Sequence, residues 1–216
     1  MWPIRRTIGC SALIPDTHYL SEGRISALLF DLDGTLVQPT IDFEALNRAV
    51  LAVIAAHGAS AAVTRRLPAL EAITTAATWL TDQGLPGAAV LTREGEQTIL
   101  AIELAAATAA VPFAGVPQML SRLRAQGLKL AIVTRNNRAA AERILQGGEL
   151  VCDVLLTRDD VPHVKPDPAH LRAALTVLGV APAQALMCGD HVMDIEAGKR
   201  AGTGTVGVLS GASPRE

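Results

Sequence analysis

Lysine is scarce in this chain. Only Lys129, Lys165 and Lys199 interrupt an otherwise arginine-based set of basic residues. No lysine side chain before position 129 is therefore available for a Schiff base. Cysteine is equally sparse: Cys10, Cys152 and Cys188 are odd in number, widely spaced and free of any CxxC or Cys/His zinc spacing. That pattern excludes a disulfide framework and predicts buried or free thiols in a reducing compartment. No apolar run is long enough to span a bilayer before Gly or Pro breaks it. A formal charge of −2 gives no reason to expect nucleic acid or an anionic membrane as a partner. The opening segment has Arg5-Arg6 and a brief apolar patch from Ile8 to Ile14, closed by Pro15, Asp16 and His18 before a signal-peptide core is reached. Residues 1–24 thus read as a partly disordered extension and the chain as cytoplasmic.

What is abundant is apolar: half of the 216 residues. This is a globular composition with enough length to bury a core. The most informative stretch is Leu28-Leu29-Phe30-Asp31-Leu32-Asp33-Gly34-Thr35, where an apolar run stops at two aspartates. Residues 25–30 read as a buried parallel strand. Asp31 and Asp33 then project from its carboxyl end, on one side, with Gly34 allowing a sharp turn. Carboxylates held together at such an edge call for a cation, a shared proton or phosphate chemistry.

From about residue 41 to 110 the periodicity is helical: 42 to 57 with Asp42 as N-cap, about 61 to 80, and 88 or 92 to 110. Helix and strand then alternate: helix 116–126, strand 128–134, helix 138–146, strand 154–157, helix 168–178, strand 185–188, helix 192–201 and strand 205–208. Alternation of this kind predicts parallel βαβ units with right-handed crossovers. The expected fold is α/β, a three-layer Rossmann-like core of residues 25–36 and 112–216 with an all-α insert, residues 37–111, over the sheet's carboxyl edge. Hinges are expected near Leu36–Thr40 and Val111–Gly115.

The Asp31-Leu32-Asp33-Gly34-Thr35 string resembles the first motif of the haloacid dehalogenase superfamily. Three further strings match in order, each just beyond a strand: Thr134-Arg135-Asn136, then Lys165-Pro166-Asp167-Pro168, then Gly189-Asp190-His191-Val192-Met193-Asp194. The resemblance covers about residues 25 to 210, and the layout is most similar to phosphoglycolate-phosphatase-like members with a helical C1-type cap. It implies that Asp31 is a nucleophile forming an aspartyl-phosphate, and that Asp33 is general acid and then base, its backbone carbonyl facing the metal. It implies that Thr134, Arg135 and Lys165 contact the phosphoryl group, and that Mg²⁺ is held by Asp31, Asp33, Asp190 and Asp194. The substrate implied is a small phosphorylated metabolite, and the protomer a monomer or homodimer.

Taken singly, these residues have ordinary readings. Thr134 or Asp190 can cap a helix, and Asp194 can pair with Lys199 or Arg200. His191 reads as pointing to solvent or cap, and Asp159-Asp160 as a charged loop. Within the superfamily, the absent early lysine argues against phosphonoacetaldehyde hydrolysis, and Asp33 argues against dehalogenation. A β-phosphoglucomutase-like mutase and a catalytically silent binding protein stay open as alternatives. Val37-Gln38-Pro39-Thr40 replaces the acidic residues often found after the first motif in phosphoglycolate-phosphatase-like members, a departure that sets this chain apart from them while phosphoglycolate stays among the expected substrates. Arg48, His57, Arg65, Arg66 and Arg93 are the insert's candidates for substrate contact.

Overall fold

A computed structural model of the protein describes residues 25–59, 64 and 67–211. The expected extension of residues 1–24, Cys10 and the Arg65-Arg66 pair lie outside the described residues. Among the described residues five strands form one parallel sheet: β1 (Ala27–Phe30), β2 (Lys129–Val133), β3 (Val154–Leu156), β4 (Ala185–Gly189) and β5 (Gly204–Gly207). Their order is β3-β2-β1-β4-β5. The chain builds outward from β1 to β3, then returns to the other side of β1 to begin β4. That reversal makes a switch point beside β1, where the carboxyl ends of strands open a crevice.

β1 is buried at every position because both sheet faces are covered. Leu28 and Phe30 join Leu130 and Ile132 on one face, against α4 (Val116–Ala125) and α5 (Arg138–Gly147). Ala27 and Leu29 join Ala131, Val133 and Met187 on the other, against α6 (Pro168–Leu178) and α7 (Val192–Ala201). The period-two alternation of each strand thus feeds two cores.

Between β1 and α4 the described residues include three helices: α1 (Phe43–Ala56), α2 (Ala69–Asp82) and α3 (Ala88–Ala107). They bury a separate cluster that includes Leu46, Val50, Ile54, Ile73, Leu80, Leu91 and Ile99. Gly95 permits this packing, since a Cβ there would lie 2.6 Å from Ile73 Cδ1. α1 begins after Asp42, whose carboxylate accepts from the Ala45 amide as expected. α2 begins at Ala69 with Pro68 at its N-cap, and most of the expected helix before it, residues 61–63, 65 and 66, lies outside the described residues. α3 ends at Ala107 rather than 110.

The two connections between this helical group and the sheet run side by side. Gln38 N donates to Val111 O at 2.9 Å, and Phe113 N to Leu36 O at 3.0 Å. Cys152 and Cys188 are free thiols. Among the described residues no helix is long and apolar enough to cross a membrane.

Candidate active site

Parallel register aligns Phe30 with Ile132 and Cys188. Residues just beyond those positions, Asp31, Thr134 and Asp190, therefore emerge together at one sheet edge. They line a cavity of about 600 Å³ whose far wall comes from the helical group, including Phe43, Leu46, Leu70 and Ile99. Asp33, Lys165 and Asp194 line the same cavity.

Lys165 is the hinge of the electrostatics. It is 2% exposed, and its Nζ lies 2.6 Å from Asp31 Oδ1 and 2.7 Å from Asp194 Oδ1. Asp31, Asp190 and Asp194 bring carboxylate oxygens within 4.8 Å of one another. One ammonium cannot neutralise three such groups. Burial, offset in part by Lys165 and reinforced by Asp194 and Asp33, pushes the Asp31 carboxyl up to about 7. Asp190 is also raised, by burial and by Asp194. A hard, oxygen-rich donor set carrying surplus negative charge fits a divalent cation. Asp33 contributes no side-chain oxygen to this cluster.

Asp33 is built differently. One oxygen accepts from Asn136 Nδ2 at 3.2 Å, while buried Oδ1 has no partner. Burial raises its carboxyl to about 6, with the Asn136 hydrogen bond opposing. A carboxyl titrating near neutrality suits proton donation and uptake. Thr134 is buried and its hydroxyl oxygen accepts from the Asn136 amide at 3.1 Å, which leaves its own hydrogen to donate into the cavity.

Asp194 is buried, accepts from the His191 amide at 3.1 Å and pairs with Lys165, so the alternative pairing with Lys199 or Arg200 is not the one formed. Helix α7 is capped by the His191 ring, which accepts from Met193 N at 3.2 Å. Asp190 is thereby free of the capping role open to it in the sequence. It accepts instead from Thr35 Oγ1 at 3.2 Å. Gly34 lies against it at φ +80°, and a Cβ there would be 2.7 Å from Asp190 Oδ2. Gly34→Ala should therefore cost about 1–3 kcal/mol and displace Asp190. Urea denaturation and divalent-ion titration check this; an unchanged midpoint with unchanged ion affinity would refute it.

Arg135 departs from expectation. Its guanidinium does not turn to the phosphoryl position. Nη2 donates to both carboxylate oxygens of Glu71 at 2.7 and 2.9 Å, and Nη1 to the Lys165 carbonyl at 2.8 Å. The insert's described basic residues also lie elsewhere: Arg48 pairs with Glu44, His57 with Glu94, and Arg93 is exposed. Asp159 and Asp160 are tied to Arg138, as a charged loop would be.

Two residues carried no functional signal in the sequence. Glu103, on α3, is 6% exposed and binds Arg158 Nη1 at 2.5 and 2.7 Å and Asn137 Nδ2 at 2.5 Å. Glu71 lies in the first turn of α2, where an acid ordinarily faces water. An acid in a helical stretch flanked by apolar residues was the available clue for Glu103, and it is shared by many surface positions.

Comparison with known proteins agrees with this architecture. Residues 25–202 match the family model of haloacid dehalogenase-like hydrolases. The chain is 33% identical to the N-acetylmuramic acid 6-phosphate phosphatase of Pseudomonas aeruginosa over 87% of its own length and 83% of that protein's. It is 44% identical to the pyrophosphatase PpaX of Bacillus cereus over 43% of its own length and 44% of that protein's. A hydrolase from Pseudomonas syringae shares the fold at a TM-score of 0.62, with 24% identity over 86% of this chain and 85% of that one. The family model spans more than four fifths of the chain, the helical insert and all four motifs included, and on that match the chain belongs to the haloacid dehalogenase-like hydrolases.

Proposed function

We propose that the protein hydrolyses a phosphomonoester of a small metabolite through a phosphorylated Asp31. The observation that carries this reading is the Asp31 carboxylate held 2.6 Å from Lys165 Nζ, clustered with Asp190 and Asp194 at the floor of a cavity of about 600 Å³. A volume of this size holds a phosphorylated sugar. The resemblance to an amino-sugar phosphate phosphatase supports a sugar-sized alcohol over a two-carbon one. Residues 37–111 act as the cap domain, bending at the paired connections near Val37 and Pro112.

The chemistry follows from the side chains. An Asp31 oxygen forms a bond to phosphorus as the bond from phosphorus to the leaving oxygen breaks. Asp33 gives its proton to that oxygen, so the alcohol departs neutral. Asp33, now a carboxylate, takes a proton from water as the water attacks the aspartyl-phosphate. Inorganic phosphate leaves and Asp31 is regenerated. Thr134 Oγ1 donates to a phosphoryl oxygen, and Lys165 balances the anionic charge at Asp31. Mg²⁺, bound by Asp31 and Asp190 with Asp194 orienting, would offset the charge on the phosphoryl oxygens.

Phosphate release from an aryl phosphate should require Mg²⁺, stop on chelation and resume on adding the ion back. A panel of sugar phosphates then ranks substrates by kcat/KM. No turnover of any phosphomonoester under these conditions would overturn the proposal.

A further inference from the structure

The geometry points to the Glu71–Arg135 ion pair as a charge filter, one that favours phosphomonoesters uncharged beside the phosphoryl group over those bearing a carboxylate or second phosphate there. This rests on the hydrolase reading above and names the substrate class it accepts.

Arg135 follows Thr134 directly and its side chain lines the cavity. The core fixes one edge of the guanidinium, through the Lys165 carbonyl at 2.8 Å and the Met193 sulfur at 3.0 Å. The other edge grips both oxygens of Glu71, in the first turn of α2. The Nη2 amino group is thus already occupied by the protein's own carboxylate.

Among the described residues, the cavity lining holds three basic side chains: Arg135, Lys165 and His191. Lys165 is shared by Asp31 and Asp194. The His191 ring is accepting from the Met193 amide. Arg135 is the group best placed to receive a second substrate anion, and an anion that took it would leave Glu71 without its partner. Discrimination by an unmatched charge is effective because the penalty falls on the wrong ligand alone. A neutral leaving group meets the apolar wall of Phe43, Leu46 and Leu70 and leaves the ion pair closed.

The test uses two isosteric, non-hydrolysable probes, 3-phosphonopropionamide and 3-phosphonopropionate. Their dissociation constants are measured by calorimetry with Mg²⁺ on the full chain. The wild type should bind the amide about tenfold or more tightly than the carboxylate. Glu71→Gln should bring the ratio to about one or invert it, because Arg135 is released to the ligand. Glu71→Asp, which keeps the charge, should retain the amide preference. Adding Arg135→Met to Glu71→Gln should remove the gain for the carboxylate. Equal binding of both probes by the wild type, or a ratio that Glu71→Gln leaves unmoved, overturns the filter. The expected ratios in a protein that hydrolyses no phosphomonoester would overturn the hydrolase reading and leave the filter standing. Hydrolysis with an unmoved ratio does the reverse. Failure of both probes to bind at millimolar concentration removes the phosphate site and both readings with it.

Discussion

Asp31→Asn is expected to lower kcat by about 10⁴-fold or more while making the ion-free protein more stable at alkaline pH. The first effect follows from the proposed nucleophile: an amide of the same shape has no anion with which to form the acyl phosphate. The second follows from crowding. Asp31 shares one ammonium with Asp194 and stands near Asp190 and Asp33. Its carboxyl is pushed up to about 7 in the folded protein, against an ordinary 3.8. A folded-state value above the unfolded one means the native state holds the proton more tightly between those limits. Its contribution to stability is complete below about pH 4 and is lost as pH rises through about 7. Asparagine has no such loss. The two proteins should melt together near pH 4, and the variant should melt several degrees higher at pH 8 in chelator, at about 2–4 °C per kcal/mol for a chain of this size. Scanning calorimetry across that range reads the divergence. A variant that melts lower than wild type at pH 8 would show that the lysine pairing outweighs the repulsion. Phosphorylation of the variant at another residue would remove Asp31 from its role.

Lys165→Met carries the second large effect, with the opposite sign on stability. Methionine keeps most of the stem but leaves three clustered carboxylates without their buried counter-charge. Removing one partner of a buried pair costs about 3–5 kcal/mol. The loss should be greatest at pH 8 in chelator. It should shrink toward pH 5, because Asp31 and Asp33, with values near 7 and 6, take up protons over that interval. Loss of a fixed positive charge at the reacting centre should also reduce kcat by about 10²–10³-fold. Urea denaturation at the two pH values, with steady-state kinetics, checks both parts. A stability loss that does not depend on pH would point to packing rather than charge.

Much of the catalytic floor was legible because strand and motif coincide. An apolar run ending in Asp31, another ending in Thr134 and a third ending in Gly189-Asp190 each announce a buried strand whose next residues must emerge at its carboxyl end. Parallel pairing then levels those ends, and the side chains meet. Lys165 was legible through rarity and its proline-flanked setting. Asn136 was visible only as a neighbour of Thr134. That it holds Asp33 depends on how the loop after β2 folds back, which local pattern does not encode.

The wall above that floor was not legible. Glu71 and Glu103 sit on amphipathic helices where an acid ordinarily faces water. Their partners, Arg135 and Arg158, lie 64 and 55 residues away in sequence. Periodicity of hydrophobic residues reports which face of an element is buried, and by itself the chain determined its strands, its helical insert and the carboxylates at the sheet's edge. Strand order, the His191 cap that frees Asp190 and the pairing of insert to sheet were decided by the tertiary structure alone. Each depends on two separately formed surfaces meeting at hydrogen-bond distance, and a polar side chain carries no periodic mark of the partner it will meet.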